Sequence, residues 1–306
     1  MPKDIRAILE EALDHASEYL GEGHVASYIP ELAKANPANL GVCLTNGKGE
    51  SFGAGDYEIP FTIQSIGKTF ALILALQTAG FDDVFSKIGM EPSGDSFDSI
   101  IQLEMKNWHP YNPLINCGAI ATVSCIRSKK PFEDYLHLVQ KLCNDPKVRL
   151  NENVYLSEKR TGNRNRAIAY LLQADRILLN NAEDVLDLYF RICSVMVTAK
   201  GLSHYAMILS NKGIDPVTGE RLLDDKIVKT VRTLMLLCGM YDESGEYAVR
   251  VGIPSKSGVG GGIVASAGRG IGIATYGPAL NKKGNSVGGE KIMEYLSEKL
   301  KLHIIL

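Results

Sequence analysis

No part of this 306-residue chain runs apolar for long enough to span a membrane, so a transmembrane helix is not expected. Its six cysteines (Cys43, Cys117, Cys125, Cys143, Cys193 and Cys238) contain no CxxC pair and mostly fall within apolar helical patterns. That argues against a redox motif, a thiolate zinc site or a disulfide framework, and for reduced, buried thiols. The six histidines are scattered, with no HExxH, so metal catalysis is not expected. Basic runs are missing as well, and Lys+Arg 33 against Asp+Glu 35 leaves a net charge of −2. A balance so close to neutral speaks against nucleic acid or an anionic membrane as the main partner and leaves small molecules. Linkers, low-complexity tracts and internal repeats are lacking too. The beginning, Met1-Pro2-Lys3-Asp4, leads into an amphipathic stretch with Glu10, Glu11, Asp14 and Glu18 rather than a signal peptide, and a cytoplasmic protein is expected.

What is present is enough for a large core: 45% hydrophobic and 22% charged residues over a length that permits one big or two modest domains. Ile5 to Leu20 reads as an amphipathic helix. Leu40 to Thr45 and Glu50 to Gly55 read as two strands around Asn46-Gly47-Lys48-Gly49, where Asn-Gly supplies the positive φ of a tight hairpin. Apolar spacing then predicts helices near Phe97 to Lys106, Leu114 to Ile126, Phe132 to Cys143, Arg164 to Gln173, Ala182 to Thr198, Leu202 to Asn211 and Asp225 to Cys238. Strands return at Tyr247 to Ile253, Ile263 to Ser266 and Ile271 to Tyr276, and Val287 to Leu300 closes the chain as a helix. Strands at both ends around a helical middle predict one antiparallel sheet built from both ends of the chain, with a helical subdomain inserted between them.

The chemistry concentrates at Ser65-Ile66-Gly67-Lys68, the chain's only SxxK. A serine three residues ahead of a lysine on a helix shares a face with it, which activates a nucleophile without histidine. The run Ile59 to Ile63 leans towards β structure, and Thr69 to Thr78 reads as a buried helix. Ser65 should therefore sit in the first helical turn, where unpaired N–H groups favour developing negative charge. Far downstream, Lys256-Ser257-Gly258 opens a glycine-rich strand region, Gly258 to Gly262, that lets a carbonyl approach strand N–H groups. Alone it reads as a hairpin turn. Paired with SxxK in this order it matches the SxxK and KTG motifs of serine β-lactamases and penicillin-binding proteins. Two decoys fail: Gly67-Lys68-Thr69 lacks the earlier glycine of a phosphate loop, with Thr62 in its place, and Gly260 to Ala265 fits GxGxxA without a βαβ unit.

Two further segments are polar where apolar residues are expected. Asn112 before Pro113 reads as a helix cap, whereas Asn116, one turn inside a small-residue apolar helix, needs a buried partner or a ligand. Glu158 to Asn165 is dense in charge and fits a solvated helix start as well as a binding segment.

With these residues in hand, the chain resembles the serine-dependent glutaminases, which share the β-lactamase and transpeptidase fold. The resemblance runs from about Tyr28 to the last helix through Tyr28-Ile29-Pro30, Gln64-Ser65 to Lys68, Glu91-Pro92-Ser93-Gly94, Asn112 to Ile120, Ser157 to Asn165, Tyr189-Phe190, Gly239 to Asp242 and Lys256 to Val259. It implies an α+β fold like that of serine β-lactamases and penicillin-binding proteins. A single catalytic domain over 1–306 would have its sheet part at about 1–64 and 239–306 and its helical part at about 65–238. It implies Ser65 as nucleophile, Lys68 as its proton partner, and Tyr241 as the alternative proton acceptor or donor. The N–H groups of Ser65 and Val259 would form the oxyanion hole. Asn116, Glu158, Asn165 and Tyr189 are similar to substrate-holding residues, with Glu158 facing the ammonium group, and Tyr28 resembles a tyrosine that covers the ligand. Lys256 would supply charge that lowers the pKa of Lys68. The implied reaction is cofactor-free hydrolysis of the side-chain amide of L-glutamine through an acyl-enzyme, in a homodimer or homotetramer. A β-lactamase or transpeptidase, for which SxxK and KSG serve equally, and a non-catalytic glutamine sensor on the same scaffold are the alternatives.

Overall fold

The computed structural model describes residues 4–94, 98–100, 109–268 and 270–305; the helix expected at Phe97 to Lys106 lies outside these residues but for 98–100. Eight strands are described: β1 (Gly41–Thr45), β2 (Ser51–Gly55), β3 (Phe61–Thr62), β4 (Arg149–Leu150), β5 (Val195–Val197), β6 (Ser255–Gly258), β7 (Gly262–Ser266) and β8 (Gly272–Tyr276). Five pair antiparallel in the order β2-β1-β8-β7-β6, so both ends of the chain build one sheet, as expected. The described helices, in chain order, are α1 (Ile5–Ser17), α2 (Gly67–Thr78), α3 (Phe81–Phe85), α4 (Asn116–Ser124), α5 (Pro131–Cys143), α6 (Glu152–Thr161), α7 (Asn163–Ala174), α8 (Ala182–Cys193), α9 (Ala199–Ser210), α10 (Asp225–Cys238), α11 (Ser244–Arg250) and α12 (Val287–Leu300).

Side chains of a strand alternate between faces, and here both faces are covered. Val42, Leu44, Ile263, Ala265 and Ile273 pack with α1 and α12, while Cys43, Val264 and Ala274 belong to the core of the helical block. Helix α1 fits its side because Ile5, Leu9, Ala12 and Ala16 recur at helical spacing and are buried, and Asp4 caps it by accepting from the Ala7 N–H at 3.2 Å. On the opposite face α9 lies across β8, β1 and β7. Cys43, Ala274, Val264 and Lys256 stand side by side across β1, β8, β7 and β6. Lys256 therefore points from the sheet into the helical block. Helix α2 is buried on every side from Gly67 to Leu76, which is why its apolar residues show no stripe.

Several expectations are corrected. The hairpin turn takes its positive φ at Gly49 (82°), not at Asn-Gly; Asn46 instead folds the loop by accepting from the N–H groups of Lys48 and Glu50 at 2.9 and 3.1 Å. The helix expected over Ala182 to Thr198 stops at Cys193, and the β-branched Val195 and Val197 continue as β5 between β3 and β4 in a small second sheet. Tyr247 to Ile253 is not a strand. It begins inside α11, whose Tyr247, with Val251 four residues on, faces the core while Val249 is 80% exposed; a two-residue alternation and an i, i+4 pair look alike over so short a run. Asn112 is no helix cap: its side chain accepts from the Leu114 N–H at 2.9 Å and donates to the Glu91 carbonyl at 2.8 Å, ahead of a helix that starts at Asn116. The six cysteines are buried and free, as read from the sequence.

Candidate active site

Ser65 lies in a 3₁₀ turn, Gln64–Ile66, between β3 and α2, rather than in the first turn of the α-helix itself. The turn is pinned from below by Ile63 N–H donating to Val195 C=O at 2.8 Å. Gln64, just before the serine, has φ 47°, a left-handed conformation disfavoured by about 1–2 kcal/mol for a residue with a side chain. From the other side the glycine-rich segment comes in: a Cβ at Gly260 would lie 2.2 Å from the Thr62 carbonyl oxygen, and one at Gly258 2.9 Å from that of Ile63. Only glycine allows this approach. The 65–68 turn and the 256–259 strand are thus in contact, although nearly two hundred residues separate them.

Lys68 is 1% exposed, and its Nζ donates to the Asn116 side-chain oxygen at 2.7 Å and the Leu114 carbonyl at 3.2 Å. Burial draws its pKa down to about 8. Asn116 is the first residue of α4, not one turn inside it, and acts as a hub: its oxygen also accepts from the Tyr189 hydroxyl at 3.4 Å, and its amide donates to Asn165 at 3.0 Å. Glu158, late in α6, accepts from Gln64 Nε2 at 2.8 Å. Burial raises its pKa to about 7, against the opposing pull of the Gln64 bond and the Lys68 charge. The solvated reading of this segment therefore fails for Glu158, at 6% exposure, and holds for Lys159 and Arg160 beside it.

Tyr241 brings its phenol to the Ser65 hydroxyl, and the Val259 N–H hydrogen-bonds the same phenol. The Tyr241 hydroxyl also donates to the Ser257 carbonyl at 3.3 Å. Burial pushes the phenol pKa up, more than the Ser65 bond lowers it. Lys256 sits with its Nζ 4.3 Å from the centre of the Tyr241 ring, donating to the Gly239 and Ser257 carbonyls at 3.0 and 2.6 Å. Burial, and then repulsion from Lys68, hold its pKa well down. Burial is also the foremost cause of the shift at Lys68.

These groups border a cavity of about 320 Å³, at the small end for ligand pockets. Tyr28, Ser65, Asn116, Glu158, Asn165 and Tyr189 all line it. Lys68 reaches it through Asn116 and Tyr241 through Ser65. Tyr28, with 56% of its surface exposed, lines the cavity too, and burial followed by the nearby Glu158 raises its pKa. Sequence reasoning passed through Gln64 and Arg164 without giving either a role in the site, and missed Asp98 and Cys193 in the lining. Gln64 left a signal, the one amide within the apolar run from Phe61 to Leu76, and Arg164 lay within the charge-dense stretch Glu158 to Asn165; Asp98, paired with Arg164 at 3.0 Å, left none.

The glutaminase family model matches residues 23–305. This chain belongs to the glutaminase family. Among relatives, it is 46% identical over 304 residues to Glutaminase 2 of Clostridium perfringens, covering 98% of this chain and 100% of that one. It is 49% identical over 300 residues to a glutaminase of Clostridium tetani, covering 97% and 98%. Among solved structures it resembles, with a TM-score of 0.90 and 31% identity over 98% of this chain and 99% of the other, a covalent complex between a Bacillus subtilis glutaminase and 5-oxo-L-norleucine formed by reaction with 6-diazo-5-oxo-L-norleucine. The sheet and helical block are accordingly the β-lactamase-like fold of bacterial glutaminases. Family membership decides for the glutaminase reading over the β-lactamase and transpeptidase readings that share SxxK and KSG. Among the described residues no helix is long and apolar enough to cross a membrane.

Proposed function

We propose that this chain hydrolyses the side-chain amide of L-glutamine to L-glutamate and ammonia, with Ser65 as the nucleophile of an acyl-enzyme. The observation that carries the reading is the Ser65 hydroxyl bonded to the Tyr241 phenol at the edge of a cavity that also holds the buried carboxyl of Glu158. Glu158 receives the substrate ammonium, whose charge offsets the burial that otherwise keeps the carboxyl half neutral. Asn116, Asn165 and Tyr189 orient the rest of the amino acid, and Tyr28 covers it.

Of the two proton acceptors, Lys68 suits the task better. An amine with pKa about 8 is neutral in a useful fraction near neutral pH, whereas a phenol raised by burial is not ionised. Ser65 attacks the carboxamide carbon as its proton passes to Lys68, with the Tyr241 phenol holding the serine oxygen. The N–H groups of Ser65 and Val259 stabilise the oxyanion. The proton then moves from Lys68 to the amide nitrogen, the C–N bond breaks, and ammonia leaves. Water adds to the acyl-enzyme by the same route and releases glutamate. The covalent adduct named for the related Bacillus protein supports a nucleophile of this kind. The reading extends to one catalytic unit over 1–306, working in the cytoplasm as a homodimer or homotetramer.

The test is ammonia release from L-glutamine by the wild type and by Ser65→Ala. Turnover should disappear in the variant, with a melting temperature within a few degrees, since a single lost hydrogen bond is worth about 1 kcal/mol. Ammonia release by the variant would exclude Ser65 as nucleophile, and glutamine binding by the wild type without ammonia would point to a sensor.

A further inference from the structure

Tyr241 is held in a disfavoured backbone conformation, with φ 55° at the start of the 3₁₀ turn Tyr241–Glu243. Such a residue persists only where its surroundings hold it. Part of the hold is local: the Ser244 hydroxyl donates to the Tyr241 carbonyl at 2.8 Å and accepts from the Met240 N–H at 3.0 Å. The rest comes from the loop 281–285 before α12. Glu243, at the end of the turn, uses one carboxylate oxygen, Oε2, to accept from Asn281 Nδ2 at 2.9 Å and from Asn285 Nδ2 at 2.6 Å. Asn281 shapes the loop in turn, accepting from the N–H groups of Lys283 and Asn285 at 2.9 and 3.1 Å. Lys283 lies 3.9 Å from Asp242 across the same seam, and Glu243 is near enough to Glu290, in the first turn of α12, to raise its pKa.

What the loop touches gives the arrangement its meaning. A Cβ at Gly284, on the loop, would lie 3.3 Å from Val259 Cγ1 and 3.7 Å from Tyr241 Cε2. The loop therefore backs both the phenol and the residue whose N–H accompanies it at Ser65. We propose that Glu243 is a positioning residue: by anchoring the 281–285 loop to the Tyr241 turn, it holds the Tyr241 phenol and the Val259 N–H in register with Ser65. The inference rests on the reading of Ser65, Tyr241 and Val259 given under the proposed function. Glu243 itself does not line the cavity. Its removal should therefore act on the chemical step and leave substrate affinity alone, because Asn116, Glu158, Asn165 and Tyr189 stand on elements of the helical block.

The experiment measures kcat and KM for ammonia release from L-glutamine in the wild type, E243A, E243Q, N281A and E246A, with melting temperatures for each. A misplacement of reacting groups by an ångström or less lowers rates by about tenfold to a hundredfold, so E243A should lose kcat on that scale while KM changes less than about twofold. The glutamine side chain keeps an oxygen that can accept both asparagine amides, so E243Q should recover most of the lost kcat. N281A, which leaves Glu243 in place but removes both a donor to it and the oxygen that shapes the loop, should also lose kcat and carries the test if E243A does not fold. Exposed Glu246, on α11, should behave as wild type when changed to alanine. Wild-type kcat in folded E243A or N281A, a rise in KM at constant kcat, or no recovery in E243Q would overturn the proposal. A wild type that releases no ammonia would instead bring down the glutaminase reading itself, and this inference with it.

Discussion

The two walls of the site are built by different means. The helical wall works through side chains: Lys68, Asn116, Asn165 and Tyr189 form one hydrogen-bonded chain, and Gln64 of the serine turn donates separately to Glu158. The sheet wall works through main chain and a single ring: Gly258 and Gly260 admit the strand to the serine turn, Val259 offers an N–H, and Tyr241 is fixed by carbonyls, Lys256 and a loop. Side-chain walls can be retuned one residue at a time, while main-chain walls change only when the backbone moves. The contrast predicts that substitutions on the helical side separate binding from chemistry, whereas those on the sheet side act through geometry.

Lys68→Met should give the largest effect after loss of the serine itself. Removing a general base lowers kcat by about 10²–10⁴-fold, while an apolar side chain of similar length in a buried site leaves stability within about 1–2 kcal/mol. Rate assays and thermal melts on one preparation check both halves. In the wild type, kcat/KM should rise with pH through about 8 as Lys68 loses its proton, and a flat profile there would shift the proton transfer to Tyr241.

Glu158→Gln should come next and act on the other quantity. Losing the charge that receives an ammonium removes about 1.5–3 kcal/mol, roughly ten- to a hundredfold in KM, with kcat less affected. Because Glu158 has a pKa of about 7 before substrate arrives, the wild-type KM should fall as pH rises through 7, and the variant's should not.

The smallest effect belongs to the sheet side and concerns stability. Glu290 is 7% exposed, and burial, followed by Glu243, raises its pKa from 4.5 to about 8; Arg250 at 4.0 Å opposes this, while Glu294 adds to it and Tyr247 packs nearby. A carboxyl raised on folding stabilises fully below 4.5 and loses that contribution as pH climbs towards 8. Glu290→Gln, neutral throughout, should match the wild type in urea midpoint near pH 4.5 and exceed it near pH 8. A wild type equally stable at both ends would show that Glu290 ionises freely.

The sequence by itself determined the order of the motifs, the α10 and α12 bounds to the residue, the presence of strands towards both ends of the chain, and the serine and lysine of the SxxK turn. These are legible because helical and strand periodicities, and the SxxK spacing, are local patterns that neighbouring residues carry among themselves. Only the tertiary structure decided that Val195–Val197 is a strand, since a three-residue segment takes its state from the strands that pair with it. It alone decided that Tyr247 turns inward from a helix, that Gln64 meets Glu158, and that Glu243 reaches the 281–285 loop. Hydrogen bonds between residues tens of positions apart, and the burial that moves the pKa of Lys68 and Glu158, depend on which surfaces meet after the chain has folded. No window of sequence contains that information.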